Sequence, residues 1–122
     1  MMKKYNAISI VTPHGLNIAK GLKTIEVRSW KPTISLNEDL LIVQNENFLR
    51  KEGETDPNGK AMALVKIKQV RKYVEDDIKA ACASKWTEGY YSWDLYDIRP
   101  IKNDVKVLAA RNIYQVELSL EF

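Results

Sequence analysis

One cysteine and one histidine stand in 122 residues. That pair excludes an internal disulfide and makes a zinc site improbable, because structural zinc takes four such ligands. No apolar run approaches the ~20 residues that span a bilayer. The short run Ala7 to Val11, ended by Pro13-His14, is too brief for a signal peptide. Glycine and proline are scarce, at five and four, so low-complexity linkers are absent and each glycine or proline punctuates an element. Charge of one sign is also in short supply. The net charge is +3, which permits a polyanionic partner but falls far short of the dense basic surface of a duplex-DNA binder. What remains is 45% hydrophobic and 29% charged, the balance of a soluble globular protein. The expectation is a cytoplasmic single domain over residues 1–122, without metal or cofactor. The oligomeric state is left open.

Polarity patterning gives the elements. Ala7 to Val11 alternates as a first strand, with Ile8 and Ile10 on one face. Thr12 as N-cap and Pro13 at the first helical position open a short helix. It runs to about Lys20, and Gly21 supplies the left-handed closing residue. From Lys23 the chain alternates again, placing Ile25 and Val27 on one face and Thr24, Glu26, Arg28 and Trp30 on the other. Leu40 to Val43 is an unbroken apolar run, as in a strand covered on both faces. Asp56-Pro57-Asn58-Gly59 signals a turn.

The next strand, Ala61 to about Tyr73, puts Val65 and Ile67 inward. The following apolar residue, Val70, falls out of phase, which calls for a bulge near Lys68-Gln69. A second helix over Val74 to Ala83 turns Val74, Ile78, Ala81 and Cys82 inward, with Glu75, Asp76 and Asp77 at its positive end. Tyr91, Trp93 and Leu95 share one face of a further strand, and Tyr114, Val116, Leu118 and Leu120 one face of the last. The fold class is α+β: a small mixed β-barrel of five or six strands with two short helices, closure being a way to remove exposed sheet edges.

Ser9-Ile10, Pro13-His14 and Gly21-x-Lys23-x-Ile25-Glu26-x-Arg28-Ser29-Trp30 resemble the signature of ASCH domains, which have a PUA-like fold. Tyr91-x-Trp93-x-Leu95-x-x-Ile98-Arg99-Pro100-Ile101 and Ile113-Tyr114-x-Val116 are similar to a second block of that family. The resemblance implies a cleft near the first helix and the strand after it, and RNA or a modified base as ligand. Some small ASCH-like proteins are amidohydrolases that deacylate N-acylated cytidine, and Lys23 maps onto their catalytic lysine. Their glutamate follows the second helix, where this chain offers Glu88. Their nucleophilic threonine lies three residues after the lysine, where this chain has Glu26, a departure that moves the expectation from catalysis toward recognition.

Each residue has a plainer role beside the functional one. Lys23, Glu26 and Arg28 form either a surface ion-pair row or a ligand-reading set, in which Arg28 offers a planar donor fork and Glu26 accepts from an exocyclic amine or orients its neighbours. Trp30 stacks on a base or plugs the end of the barrel. His14 donates to a ligand or simply flanks the helix start. Trp93 and Tyr91 read as core. Cys82 has no base beside it and does not read as a catalytic thiol. Lys66, Lys68, Arg71 and Lys72 form a basic row, either a phosphate track or a solvated strand face. The leading expectation is an RNA- or nucleotide-binding domain. An amidohydrolase using Lys23 and Thr24 or Glu26, with Glu88, is one alternative, and a protein-interaction module another; Thr24 also joins the ligand-binding set.

Overall fold

The computed structural model describes residues 2–122. Among them lie seven strands: β1 (Lys3–Val11), β2 (Ile25–Arg28), β3 (Asp39–Asn45), β4 (Thr55–Lys72), β5 (Tyr91–Pro100), β6 (Lys106–Ala110) and β7 (Ile113–Leu118). Two short helices accompany them, α1 (His14–Ala19) and α2 (Ile78–Ala81), the second entered through a 3-10 turn at Glu75–Asp77. The strand order is β2-β5-β4-β3-β1-β7, with β6 pairing the first part of β4. The α+β class and the two short helices hold. The strands number seven, and the sheet is not closed, since no ladder joins β2 to β7 among the described residues.

β3 is the middle of the sheet. It runs parallel to β1 and antiparallel to β4, and Leu40, Leu41, Ile42 and Val43 are all buried. Alternation sends its side chains into two separate cores. Leu40 and Ile42 join Ile8, Ile10, Val65, Ile67, Trp93 and Leu95 under α1, whose Ile18 is fully buried. Leu41 and Val43 join Ala7, Ala61, Leu64, Val107 and Ala109 under β6. The unbroken apolar run thus has its cause in two covered faces.

β4 is long because it bends across three partners. Thr55 to Lys60 pairs with β6, and the rest with β3 and β5. The bulge expected near Lys68-Gln69 is present as a register shift against β5 between Ile67 and Gln69. Asp56-Pro57-Asn58-Gly59 does not reverse the chain. It forms an irregularity inside β4, where the β6 register slips between Asp56 and Gly59, a position that tolerates proline's missing N–H. Gly59 is required there: a Cβ would meet the Val107 carbonyl oxygen at 2.2 Å.

Two helix boundaries differ from the sequence pattern. Thr12 does not cap α1, because its N–H extends the β1–β3 ladder to the Asn45 carbonyl at 2.8 Å; Pro13 takes the cap position without a side-chain bond. Gly21 closes the helix as expected, with φ +76. Val74 is 45% exposed rather than inward, since it is still extended ahead of the 3-10 turn. Asp77 does more than favour a helix dipole. Its buried carboxylate accepts from Arg71 twice (2.8 and 2.9 Å), from the Val74 N–H and from the Ser92 hydroxyl. No helix among the described residues is long and apolar enough to cross a membrane.

Candidate functional site

A cavity of about 590 Å³ opens at one end of the sheet, within the range of small-ligand sites. Its floor comes from Ser9 to Val11 at the end of β1 and from Glu26 to Arg28 on β2. α1 contributes His14, the segment after α2 contributes Ala81 to Lys85, and the β6–β7 turn contributes Arg111 and Asn112. Phe48 and Leu49 of the β3–β4 loop complete the wall.

Glu26 lies at the centre of the polar contacts. Lys23 and Glu26 are only 4% and 5% exposed, so they are not a solvated surface row. The Lys23 ammonium donates to the Ala81 carbonyl and lies 3.4 Å from Glu26 Oε1. Arg28 Nε donates to Glu26 Oε2 at 2.8 Å, and its Nη2 to the Ser9 carbonyl at 3.0 Å. Strict alternation would separate Lys23 from Glu26. Regular pairing begins only at Ile25, and the turn before it swings Lys23 onto the Glu26 side. Burial pushes the Glu26 carboxyl up, but the charges of Arg28 and then Lys23, with their hydrogen bonds, outweigh it and hold the carboxyl below its ordinary 4.5. An ionised carboxylate between two cations is the consequence.

Arg28 retains donors for a ligand, since a guanidinium carries five N–H groups and two are engaged. Its side chain is 25% exposed, and its guanidinium carbon lies 5.9 Å from the Trp30 ring centroid. Trp30 in turn meets Trp93 edge to face at 5.1 Å and 80°. Trp30 thus lines the cavity and packs against the core at once. Trp93 is fully buried, as expected. His14 faces the same space with Nδ1 buried and without a hydrogen-bond partner among the described residues. Burial first, and the Lys23 charge next, push its imidazole below the usual 6.5, against a smaller opposing pull from Glu26.

Lys23, Glu26, Arg28, Trp30 and His14 are therefore brought together. Thr24 and Glu88 are not. Thr24 is exposed and outside the wall, its backbone committed to Ala80 and Leu95 at 2.9 Å each. Glu88 is exposed in the loop before β5 and also outside the wall. In the basic row, Arg71 is bound by Asp77 and Asp94, and Lys66 lies 3.7 Å from Asp97, so an uninterrupted phosphate track is not available. Sequence reasoning missed Phe48, Lys85 and Arg111. A lone phenylalanine in the polar stretch after β3 was the one local signal.

The fold and cavity define a small α+β domain with a ligand-sized polar cavity, built around a buried carboxylate between two cations. The chain belongs to the ASCH domain family, whose model matches residues 8–108. Among solved structures it is similar to the ASCH protein of Zymomonas mobilis, at 18% identity and a TM-score of 0.59, covering 80% of this chain and 71% of that one. A tyrosine-to-phenylalanine variant of that protein gives 18% and 0.57, covering 84% and 76%. A serine-to-alanine variant gives 17% and 0.58, covering 83% and 72%. At such identity the likeness bears on the fold. No curated protein matches this chain.

Proposed function

We propose that this domain binds RNA or a base-modified nucleotide, with the base held in the cavity beside Lys23, Glu26, Arg28 and Trp30. The observation that carries the reading is the Glu26 carboxylate, clamped by Lys23 and Arg28. It fixes Arg28 against the face of Trp30, and so presents a planar donor fork beside an aromatic surface. A base offers the complementary pair, an acceptor-bearing edge and a π-face. The unpartnered His14 Nδ1 adds a further polar group that a ligand can satisfy.

Hydrolysis of acylated cytidine has less support. The Lys23 ammonium is occupied by Ala81 and Glu26, and Thr24 and Glu88 lie outside the cavity. One domain over residues 1–122 in the cytoplasm fits this reading, as does the single cysteine. The test is a calorimetric titration at low salt with cytidine, N-acetylcytidine, cytidine 5′-monophosphate and a short RNA. Arg28→Ala, checked for native circular dichroism, is expected to weaken binding about tenfold or more, the worth of a well-formed bidentate contact. Unchanged affinity in that variant would move the ligand elsewhere.

A further inference from the structure

The mild basicity of this chain is not spread over its surface. Four cations line the cavity, Lys23, Arg28, Lys85 and Arg111, against one carboxylate, Glu26. That local excess of three equals the formal net charge of the whole sequence, +3. Everything outside the cavity is therefore balanced overall. A neutral nucleoside leaves such a field unanswered, whereas an anion is drawn to it.

The arginines sharpen this. Of the five in the sequence, Arg28, Arg71 and Arg99 pair with carboxylates. Arg50 lies over the Phe48 ring, 5.6 Å from its centroid. Arg111 has no such partner among the described residues, and it is exposed on the cavity wall in the β6–β7 turn. Lys85, also exposed on the wall, has its backbone pinned where the Tyr73 hydroxyl donates to the Lys85 carbonyl at 3.0 Å.

Phe48 completes the pattern. It is 67% exposed on the same wall. Its loop is anchored at the base by Asp56, which accepts the Glu46 and Asn47 N–H groups at 3.1 and 3.2 Å. An exposed ring with a guanidinium on one face is a surface on which a base stacks.

Resting on the nucleotide reading above, we propose that the ligand is a phosphate-bearing nucleotide within a single strand. Arg111 and Lys85 take its phosphate, and Phe48 stacks the base of the adjoining nucleotide. The shared chemistry is a nucleoside phosphate, whether free or in a chain, and the arms of one experiment separate the sources. The protein is titrated at low salt with ribonucleosides of the four bases, their 5′-monophosphates and the matching trinucleotides. The monophosphate is expected to bind about tenfold more tightly than its nucleoside, as charge-assisted bonds to phosphate allow. Arg111→Ala removes most of that gain and leaves nucleoside affinity unchanged. Phe48→Ala weakens the trinucleotide about tenfold, in keeping with one lost stack, and spares the monophosphate.

Equal binding of nucleoside and monophosphate, with Arg111→Ala like wild type, overturns the phosphate subsite and leaves the nucleoside reading standing. A phosphate gain with trinucleotide affinity indifferent to Phe48→Ala refutes the single-strand part. Absence of binding by every probe at millimolar concentration removes the parent reading as well. Arg111 and Phe48 are exposed, so neither substitution endangers the fold.

Discussion

Glu26→Gln changes one charge and almost no volume, and the structure sets the cost. In the wild type the carboxylate is 5% exposed and balances Lys23 at 3.4 Å and Arg28 at 2.8 Å. Glutamine keeps one acceptor oxygen, enough for Arg28. Lys23 is then left buried with only the Ala81 carbonyl. Removing one partner of a buried pair costs about 3–5 kcal/mol, and the retained acceptor returns roughly 1 kcal/mol, leaving about 2–4 kcal/mol. For a chain of this length that is a fall in Tm on the order of 10 °C.

The pH dependence carries a sign. The folded Glu26 carboxyl sits below its ordinary value, so its contribution is complete above about 4.5 and is lost as pH falls through the folded value. The stability gap between wild type and Glu26→Gln must therefore narrow below pH 4.5. Adding Lys23→Met removes the orphaned ammonium, so the double variant loses less than the sum of the singles. Guanidinium denaturation from pH 7 down to pH 3 measures all three. A variant within about 0.5 kcal/mol of wild type at pH 7, with a pH-independent gap, would mean that Glu26 does not act as a buried clamp.

Asp77→Asn tests a second carboxylate. Arg71 chiefly, against burial, brings the Asp77 carboxyl down from 3.8 to about 2, worth about 2 kcal/mol at neutral pH that is lost as pH falls from about 4 through about 2; denaturation at pH 7 and pH 2 should show the difference between wild type and variant shrink by most of that amount at the lower value. Gly59→Ala drives a methyl against the Val107 carbonyl and should cost about 2–3 kcal/mol by overpacking, loosening amide exchange in β6 before β1. Thr24→Ala and Glu88→Ala should each leave nucleotide affinity within about twofold, since both side chains lie outside the cavity; a tenfold loss in either would mean that the wall is drawn wrongly.

Much of the architecture was legible because local chemistry and global fold agree. Gly21 marks a helix end that the structure keeps, the apolar run in β3 has two covered faces, and the phase slip at Val70 marks a real bulge. β6 escaped notice for a physical reason. Its buried residues are only Val107 and Ala109, small side chains beside an exposed Leu108, so the burial follows from close approach to Gly59 rather than from hydrophobic strength. Of the candidate site, the clustering of Lys23, Glu26, Arg28 and Trp30 was legible, because they lie within eight residues. The burial of Lys23 and Glu26 was not, because β2 alone shows a polar face, and their surroundings include Ala81 and Ser9 from distant parts of the chain. Arg111 lies 83 positions after Arg28 in the chain, and no local pattern joins them.

A nucleotide that enters the cavity as proposed meets Arg28 and Trp30 together. Heteronuclear NMR of the Arg28 Nε–H and the Trp30 indole N–H during titration with cytidine 5′-monophosphate tests this directly. Saturable shifts of both signals are expected in the wild type, and the Trp30 shift is expected to be lost in Arg28→Ala. Still signals at Arg28 and Trp30, with shifts gathered instead along exposed Lys68 and Lys72 of β4, would contradict that placement.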